Sequence, residues 1–336
     1  MRVRQQDIAK LARVSQATVS RVVAGDSKVD AQISSRVRAV MNAHNYQPDV
    51  RARSLRSKRT GLIGLVIKRP HGGLDSDPFY ATLIAEILDF FDGEPFHLCL
   101  DIASDEESQV AIYDEMLRTR RVDGLILVES EARDERIQRL QDDQFPFVLI
   151  GNPGDVDRIW SVDNDNVQAC FNATQHLIDQ GYSRVGMIAG PLGITVSEDR
   201  VQGYQKAVSA AGQPCQVWHA EFGSTAGMEV GQRVLSSDPP PDALVVLDDF
   251  MAMGVIRAAR KLGVGIPQEL GIVSFNNSHL CELVEGNLSS VSLNIDVMVR
   301  HACEQLIQAI DRSEGAQSSR IIVPTELHFR GSSRRC

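Results

Sequence analysis

Two sets of side chains carry recognisable chemistry, and neither set is that of a catalyst. The first is Gln16, Ala17, Thr18, Ser20 and Arg21, close together in the stretch SQATVSRVV. Glutamine can meet adenine, and arginine guanine, through paired hydrogen bonds; alanine can touch a thymine methyl, and threonine and serine hydroxyls suit phosphate oxygens. The second set is spread along the chain: Arg69, Asn152, Arg200, Phe222, Asp248 and Asn276. Guanidinium, carboxylate, amide and aromatic ring together suit a hydroxyl-rich small molecule. Singly, Asp and Asn at such places are ordinary helix caps and turn residues, so their joint placement is what points to a ligand.

Other chemistries find no support. Cys99, Cys170, Cys215, Cys281, Cys303 and Cys336 stand singly, and the histidines show no metal-binding spacing, so no metal is expected and the thiols read as reduced. There is no glycine-rich dinucleotide or phosphate loop and no nucleophile elbow. Asp248-Asp249 alone is weak evidence for acid–base work, so neither a cofactor nor an enzyme is expected. No apolar run reaches the roughly 18 to 20 residues that span a bilayer, and MRVRQQDIAK lacks the apolar stretch of a signal peptide. The expectation is a cytoplasmic protein with no membrane partner.

The first set needs a helix, and the pattern supplies one. Ile8, Leu11, Ala12 and Val14, then Val19, Val22 and Val23, follow helical spacing with a break at Val14-Ser15. Two short helices joined by a tight turn result, with Ser15 as N-cap of the second. A third helix over about Ala31 to Asn45 sets Ile33, Val37, Val40 and Met41 on one face to cover them. This is a helix-turn-helix, whose second helix enters the major groove. Charge agrees: residues 1–60 hold 13 Lys and Arg against four Asp, a net of +9, and the remainder carries −18. Only the small basic module is expected to meet a polyanion.

The second set needs strand ends. After Thr60 come LIGLVI, FHLCLDI, DGLILVE and FVLIG, then RVGMIAG, ALVVLDD and GIVSF, alternating with helical stretches. Buried parallel strands read this way, and GLIGLVI and RVGMIAG open two similar lobes. The fold class is thus an all-α helix-turn-helix domain followed by a two-lobed α/β core of doubly wound parallel sheets. Ligands in such folds sit beyond the carboxyl ends of the strands, and two facing lobes make a cleft there. A transporter's sugar-binding protein would share that cleft but should lack the DNA module.

The stretches DIAKLARVSQATVSRVVAG, NYQPDVRARSL, LDDFMAMGVIRA and VPTELHFRGSS resemble the LacI-type bacterial transcription regulators, of the lac and purine repressor kind, over essentially the whole chain. The core would then be periplasmic-binding-protein-like. The resemblance implies a DNA-binding domain at 1–46, a hinge at 47–60 and an effector-binding, dimerising core at 61–336. Its N-lobe would cover about 61–161 and 292–322, and its C-lobe about 162–291 and 323–336. In the hinge, Ala52 and Leu55 share a face; the family's paired hinge helices would wedge Leu55 into a central base step while Arg51 and Arg53 meet phosphates. Arg200 matches an arginine that grips the effector, Phe222 the aromatic laid against it, and Asp248 and Asn276 two polar positions.

The chain also departs from the family pattern. Arg13 stands where glycine is frequent, Arg4 where a Ser or Thr cap is usual, and Asp248 with Asn276 replaces Asn followed by Asp. The last exchange suggests an acidic acceptor moved across the cleft, opposite Arg200, with a bare helix cap as the other reading. Lys68, Arg69 and His71 in KRPHGGLDSDPFY either reach the cleft mouth, favouring a larger or acidic ligand, or form a solvated loop. The implied function is repression of carbohydrate genes from a palindromic operator, as a dimer under a sugar-like effector. A non-sugar ligand or a phosphoprotein partner is the alternative, and a sugar-binding protein with no DNA role a remote one. Phe79, Leu83, Ile87, Met251 and Ile256 are the candidate dimer contacts.

Overall fold

The computed structural model describes residues 3–23, 26, 28–46, 59–69, 77–156, 158–311 and 318–335. Its contacts divide into two units, separated between Gly61 and Leu62.

In the first unit, α1 (Gln5–Leu11), α2 (Gln16–Val23) and α3 (Ala31–Ala43) enclose Ile8, Ala12, Val19, Val22 and Val37. Local chemistry sets each boundary. The Arg4 amide, lacking a Ser or Thr cap, donates to the Asp7 carboxylate at 2.9 Å. Arg13 turns the chain with φ of 51°, the left-handed region where the family's glycine would be unstrained. Ser15 Oγ accepts from the Thr18 amide at 3.1 Å, starting α2. Asp30 caps α3 through the Gln32 and Ile33 amides. That helix stops at Ala43, short of Asn45, because Asn45 takes a left-handed φ of 45°. Leu11 is 51% exposed, so its helical spacing with Ile8 does not place it in the core.

The second unit holds two sheets. The first runs β11-β5-β4-β3-β1-β2, all parallel, from β1 (Leu62–Lys68), β2 (His97–Ala103), β3 (Gly124–Val128), β4 (Phe147–Ile150), β5 (Ser161–Asn164) and β11 (Arg320–Val323). The second runs β12-β10-β9-β8-β6-β7, from β6 (Val185–Ala189), β7 (Val217–His219), β8 (Ala243–Val246), β9 (Gly271–Phe275), β10 (Ser289–Ser292) and β12 (Glu326–His328). Among the described strands of this sheet, only β12, against β10, is antiparallel.

Helices cover both faces of each sheet, which is why the central strands are apolar throughout. In the first lobe, Leu83 and Ile87 of α4 (Pro78–Phe90) and Val299, Ala302 and Leu306 of α11 (Ile295–Asp311) lie on Ile63, Leu65 and Ile67. Met116 of α5 (Glu106–Thr119) and Leu140 of α6 (Glu135–Asp142) lie on Leu125 and Leu127. In the second, α7 (Asn166–Asp179), α8 (Thr195–Ala210), α9 (Ser224–Leu235) and α10 (Asp249–Leu262) do the same work. This corrects three of the candidate dimer contacts. Leu83, Ile87 and Met251 are fully buried in their own lobes, and Phe79 and Ile256 pack at the core margins.

The chain passes between lobes after β5, between β10 and α11, and between β11 and β12. The first crossover falls after Asn164 and the third after Val323, both later than the expected breaks at 161 and 322. The reason is pairing: β11 matches β5 residue for residue from Arg320–Ser161 to Val323–Asn164. Asn164, buried, donates from Nδ2 to the carbonyls of Leu293 and Val323 at 3.1 and 2.9 Å, tying the three crossovers together.

Candidate functional site

On the helix-turn-helix unit, Gln16, Ala17 and Arg21 project from α2 into solvent, while Thr18 and Ser20 are half-buried. The exposed polar groups already have light internal partners. Arg21 Nε meets Asp26 Oδ2 at 3.1 Å, Gln16 Nε2 reaches Gln5 Oε1 at 3.4 Å, and Thr18 Oγ1 lies 2.8 Å from Ser15 Oγ. Such exposed contacts hold their side chains weakly and yield to a better partner. Arg51, Ala52, Arg53 and Leu55 lie outside the described residues, as does His71.

In the larger unit, a cavity of about 100 Å³ lies between the lobes at the carboxyl ends of the strands. Arg69, Arg200, Phe222, Asp248 and Asn276 line it, and so do Asp77, Glu129, Asp163, Asn166 and Thr195, which sequence reasoning did not single out, and Phe79, which it placed at a dimer contact instead. Asn152 does not line it. Its Nδ2 donates to Asp199 Oδ2 at 2.8 Å and its carbonyl accepts from Ser130 Oγ at 2.6 Å, joining the two lobes beside the cavity.

Each lining residue follows from local structure. Asp248 begins α10, its Oδ1 accepting from the Met251 amide at 2.7 Å, so it caps the helix and faces the cavity at once. Asn276 leaves β9 with φ of 95°, a conformation Asn tolerates better than most residues. Arg200 on α8 donates from Nε to Asn166 Oδ1 at 3.1 Å and from Nη1 to the Leu247 carbonyl at 2.6 Å, with Phe275 4.0 Å beneath it. Gly203, one turn on, permits this approach: a Cβ there would lie 2.1 Å from the Val167 carbonyl of α7.

Arg200 and Asp248 therefore belong to the same lobe and stand side by side, which corrects the expectation that they oppose one another across the cleft. The first-lobe acids that line the cavity with them are Asp77, Glu129 and Asp163. Arg69 is no free cation either. Its Nη1 donates to Glu129 Oε2 at 2.7 Å and to the Lys68 carbonyl at 2.9 Å, and its Nη2 contacts Glu129 Oε1. Asp77 is 3.6 Å away, and the guanidinium lies between the rings of Tyr80 and Phe222, at 4.8 and 4.7 Å. Lys68 pairs with Glu131 at 3.1 Å.

Burial governs the electrostatics here. It pushes Asp248 up to about 7, helped by the charges of Asp77 and Asp249 and opposed by the Met251 amide and Arg200. It likewise lifts Asp163 to about 6 and raises Asp77. Arg200 is lowered to about 10 by the same desolvation. For Arg69, burial works against the charge, but Glu129, Tyr80 and Asp77 outweigh it and the pKa rises.

A short strap also closes the lobes together. Glu131 and Ile194 form an isolated antiparallel bridge, the Ala132 amide donates to the Gly193 carbonyl at 3.1 Å, and the Thr195 amide to the Ser130 carbonyl at 3.0 Å. These contacts join segments far apart in sequence and lie outside the three crossovers.

Comparison with known proteins matches residues 5–49 to the family of bacterial regulatory proteins of lacI type, and residues 174–333 to a periplasmic binding protein-like domain. Catabolite control protein A of Priestia megaterium is 30% identical over 339 residues, covering 99% of this chain and 100% of that protein. The chain belongs to the LacI family. Another relative of this LacI-family regulator is MalR of Streptococcus pneumoniae, 30% identical over 316 residues, covering 93% of this chain and 94% of that one. Among solved structures, a CelR–cellobiose complex is 27% identical with a TM-score of 0.76, covering 98% of this chain and 100% of that chain. A lac repressor dimer bound to operator and anti-inducer has a TM-score of 0.84 at 22% identity and 99% coverage of each chain, a likeness of fold. Among the described residues, no helix is long and apolar enough to cross a membrane.

Proposed function

We propose that this LacI-family regulator binds a palindromic operator as a homodimer and is controlled by a sugar-like effector held between its lobes. The observation that carries the reading is one chain holding both parts: a helix presenting Gln16, Ala17 and Arg21 to solvent, and a cleft lined by Arg200, Phe222, Asp248 and Asn276. The carboxylate and amide are acceptors for hydroxyls, the guanidinium a donor, and the ring a flat apolar partner. The cellobiose in the CelR complex and the names of the relatives favour a carbohydrate.

In this reading residues 1–46 read bases, 47–60 form the hinge with Arg51, Ala52, Arg53 and Leu55 at the minor groove, and 61–336 sense the effector. A single helix-turn-helix reads too few bases to select a genomic site, which favours a two-fold dimer. The edge strand β2 supplies an apolar surface for it: Leu100 and Ile102 are 37% and 46% exposed, beside Leu88 of α4 at 52%. The protein works by binding alone, in the cytoplasm at the nucleoid, without catalysis or cofactor.

Recovery of DNA from the source genome by the purified protein tests the reading. The expected product is a palindrome with a flexible central pyrimidine–purine step, adjacent to genes of carbohydrate use. Failure to enrich any site, both alone and with a mixture of uncharged sugars, overturns it.

A further inference from the structure

The cleft wall carries two guanidiniums, Arg69 and Arg200, and four carboxylates, Asp77, Glu129, Asp163 and Asp248. An anionic ligand is held by a free cation or an open helix N-terminus, and Arg69 and the starts of α4 and α10 are already occupied by the protein's own acids, whereas the start of α8 has no side-chain cap. Arg69 is held two-pronged by Glu129. Arg200 is turned to Asn166 and the Leu247 carbonyl. The N-termini of α4 and α10, which begin in this wall, are filled by their own side chains: Asp77 accepts from the Phe79 amide at 3.1 Å and Asp248 from the Met251 amide.

Glu129 has a second distinguishing feature. It leaves β3 in the left-handed region, with φ of 53°, a conformation uncommon for a residue with a side chain and found where a site constrains the backbone. That turn brings its carboxylate to Arg69, which lies 60 residues away in sequence.

We propose that Glu129, with Asp77 beside it, is a specificity-determining residue: by occupying Arg69 it makes the cleft admit uncharged polyols and reject ligands that bear phosphate or carboxylate. This rests on the sugar-effector reading and narrows it to a ligand class. A phosphorylated sugar entering the cleft would meet carboxylates from both lobes, with Arg69 already held by Glu129 and Arg200 left to set against them. An uncharged sugar meets the same groups as hydrogen-bond acceptors for its hydroxyls.

The test uses the full chain, its Glu129→Gln variant and, as a second variant that keeps the helix cap, Asp77→Asn. Glucose, ribose, maltose and cellobiose are compared with a phosphate ester of the same sugar by calorimetry and thermal shift. Wild type should bind an uncharged sugar at least about tenfold more tightly than its ester, and Glu129→Gln should narrow that gap by about tenfold as Arg69 becomes available. A phosphate ester bound by wild type as tightly as its parent overturns the proposal, as does an unchanged gap in both variants when they melt like wild type. If no sugar of either kind binds wild type, the sugar reading itself falls. Glu129 is then judged with inorganic phosphate, which must stabilise Glu129→Gln and not wild type; equal response of the two overturns its role.

Discussion

Ser130 Oγ of the first lobe and Thr195 Oγ1 of the second stand 2.8 Å apart, at a point where no covalent crossover joins the lobes. Around this pair the Ser130 carbonyl accepts from both the amide and the hydroxyl of Thr195, at 3.0 and 3.1 Å. The cavity thus lies between two kinds of tie: chain crossovers pinned by Asn164, and a strap of reversible hydrogen bonds. Opening the cleft on the strap side breaks no covalent connection and costs those bonds together with the Asn152–Asp199 hydrogen bond and the contact of Arg69 with the Phe222 ring.

The double variant Ser130→Ala, Thr195→Val should loosen the strap and little else. Hydrogen exchange at the Ala132 and Thr195 amides is expected to quicken about five- to tenfold, as for loss of contacts worth about 1 kcal/mol. Amides in β3 and β8 should keep their protection. Unchanged exchange at both strap amides would show that the lobes are held closed by something else.

Stability should tilt with pH through Asp248. Its folded pKa of about 7 lies above the ordinary aspartate value of 3.8, so its protonated form is favoured by folding. The stabilisation is complete below the ordinary value and is lost as pH rises through the folded one. Asp248→Asn, which can still accept the capping bond, should flatten the decline between those limits by up to about 1.4 kcal/mol per pH unit. Asp163, raised to about 6, leaves a residual slope of the same sign. Chemical denaturation across pH reads this directly, and an identical tilt in both proteins would contradict the assignment.

In the helix-turn-helix unit two substitutions should move in opposite directions. Ser15→Ala removes the cap of α2 and should cost about 1 kcal/mol. Arg13→Gly relieves a left-handed φ of 51° and should gain about 0.5 to 1 kcal/mol. Amide exchange within α1 and α2 of the full chain distinguishes them; a loss of protection in Arg13→Gly would mean that the arginine is held by more than the turn.

Base reading and backbone contact should separate on the operator. Gln16→Ala and Arg21→Ala are each expected to cost about 1 to 3 kcal/mol and to relax preference at one base position. Arg51→Ala or Arg53→Ala should instead weaken all sequences alike and lower the salt slope by about 1. Uniform weakening by Arg21→Ala would place that residue on phosphate.

The helix-turn-helix was legible because its signals are local: apolar spacing, a capping serine and a turn residue all lie within a few positions of what they control. Of the cleft, Arg200, Asp248 and Asn276 were legible from strand ends for the same reason. Glu129 and Asp77 were not, because what marks them is Arg69, brought to them only by parallel pairing of β1 with β3 and by the start of α4. Asn152 looked like a ligand residue because a strand end cannot say which neighbour its amide will meet; here Asp199 of the other lobe takes it. The apolar faces of α4 and α10 showed that something covers them, and their own sheets do so.

The most direct test of the account is operator binding measured with and without each uncharged sugar, in wild type and in Asp248→Ala. At least one sugar should shift the wild-type affinity by about five- to 150-fold, the usual range of allosteric coupling. Asp248→Ala should bind the bare operator as wild type does and show no shift with that sugar. A variant that keeps the full response, or a wild type unmoved by every sugar, would contradict the claim that this cleft controls the DNA-binding unit through an uncharged polyol.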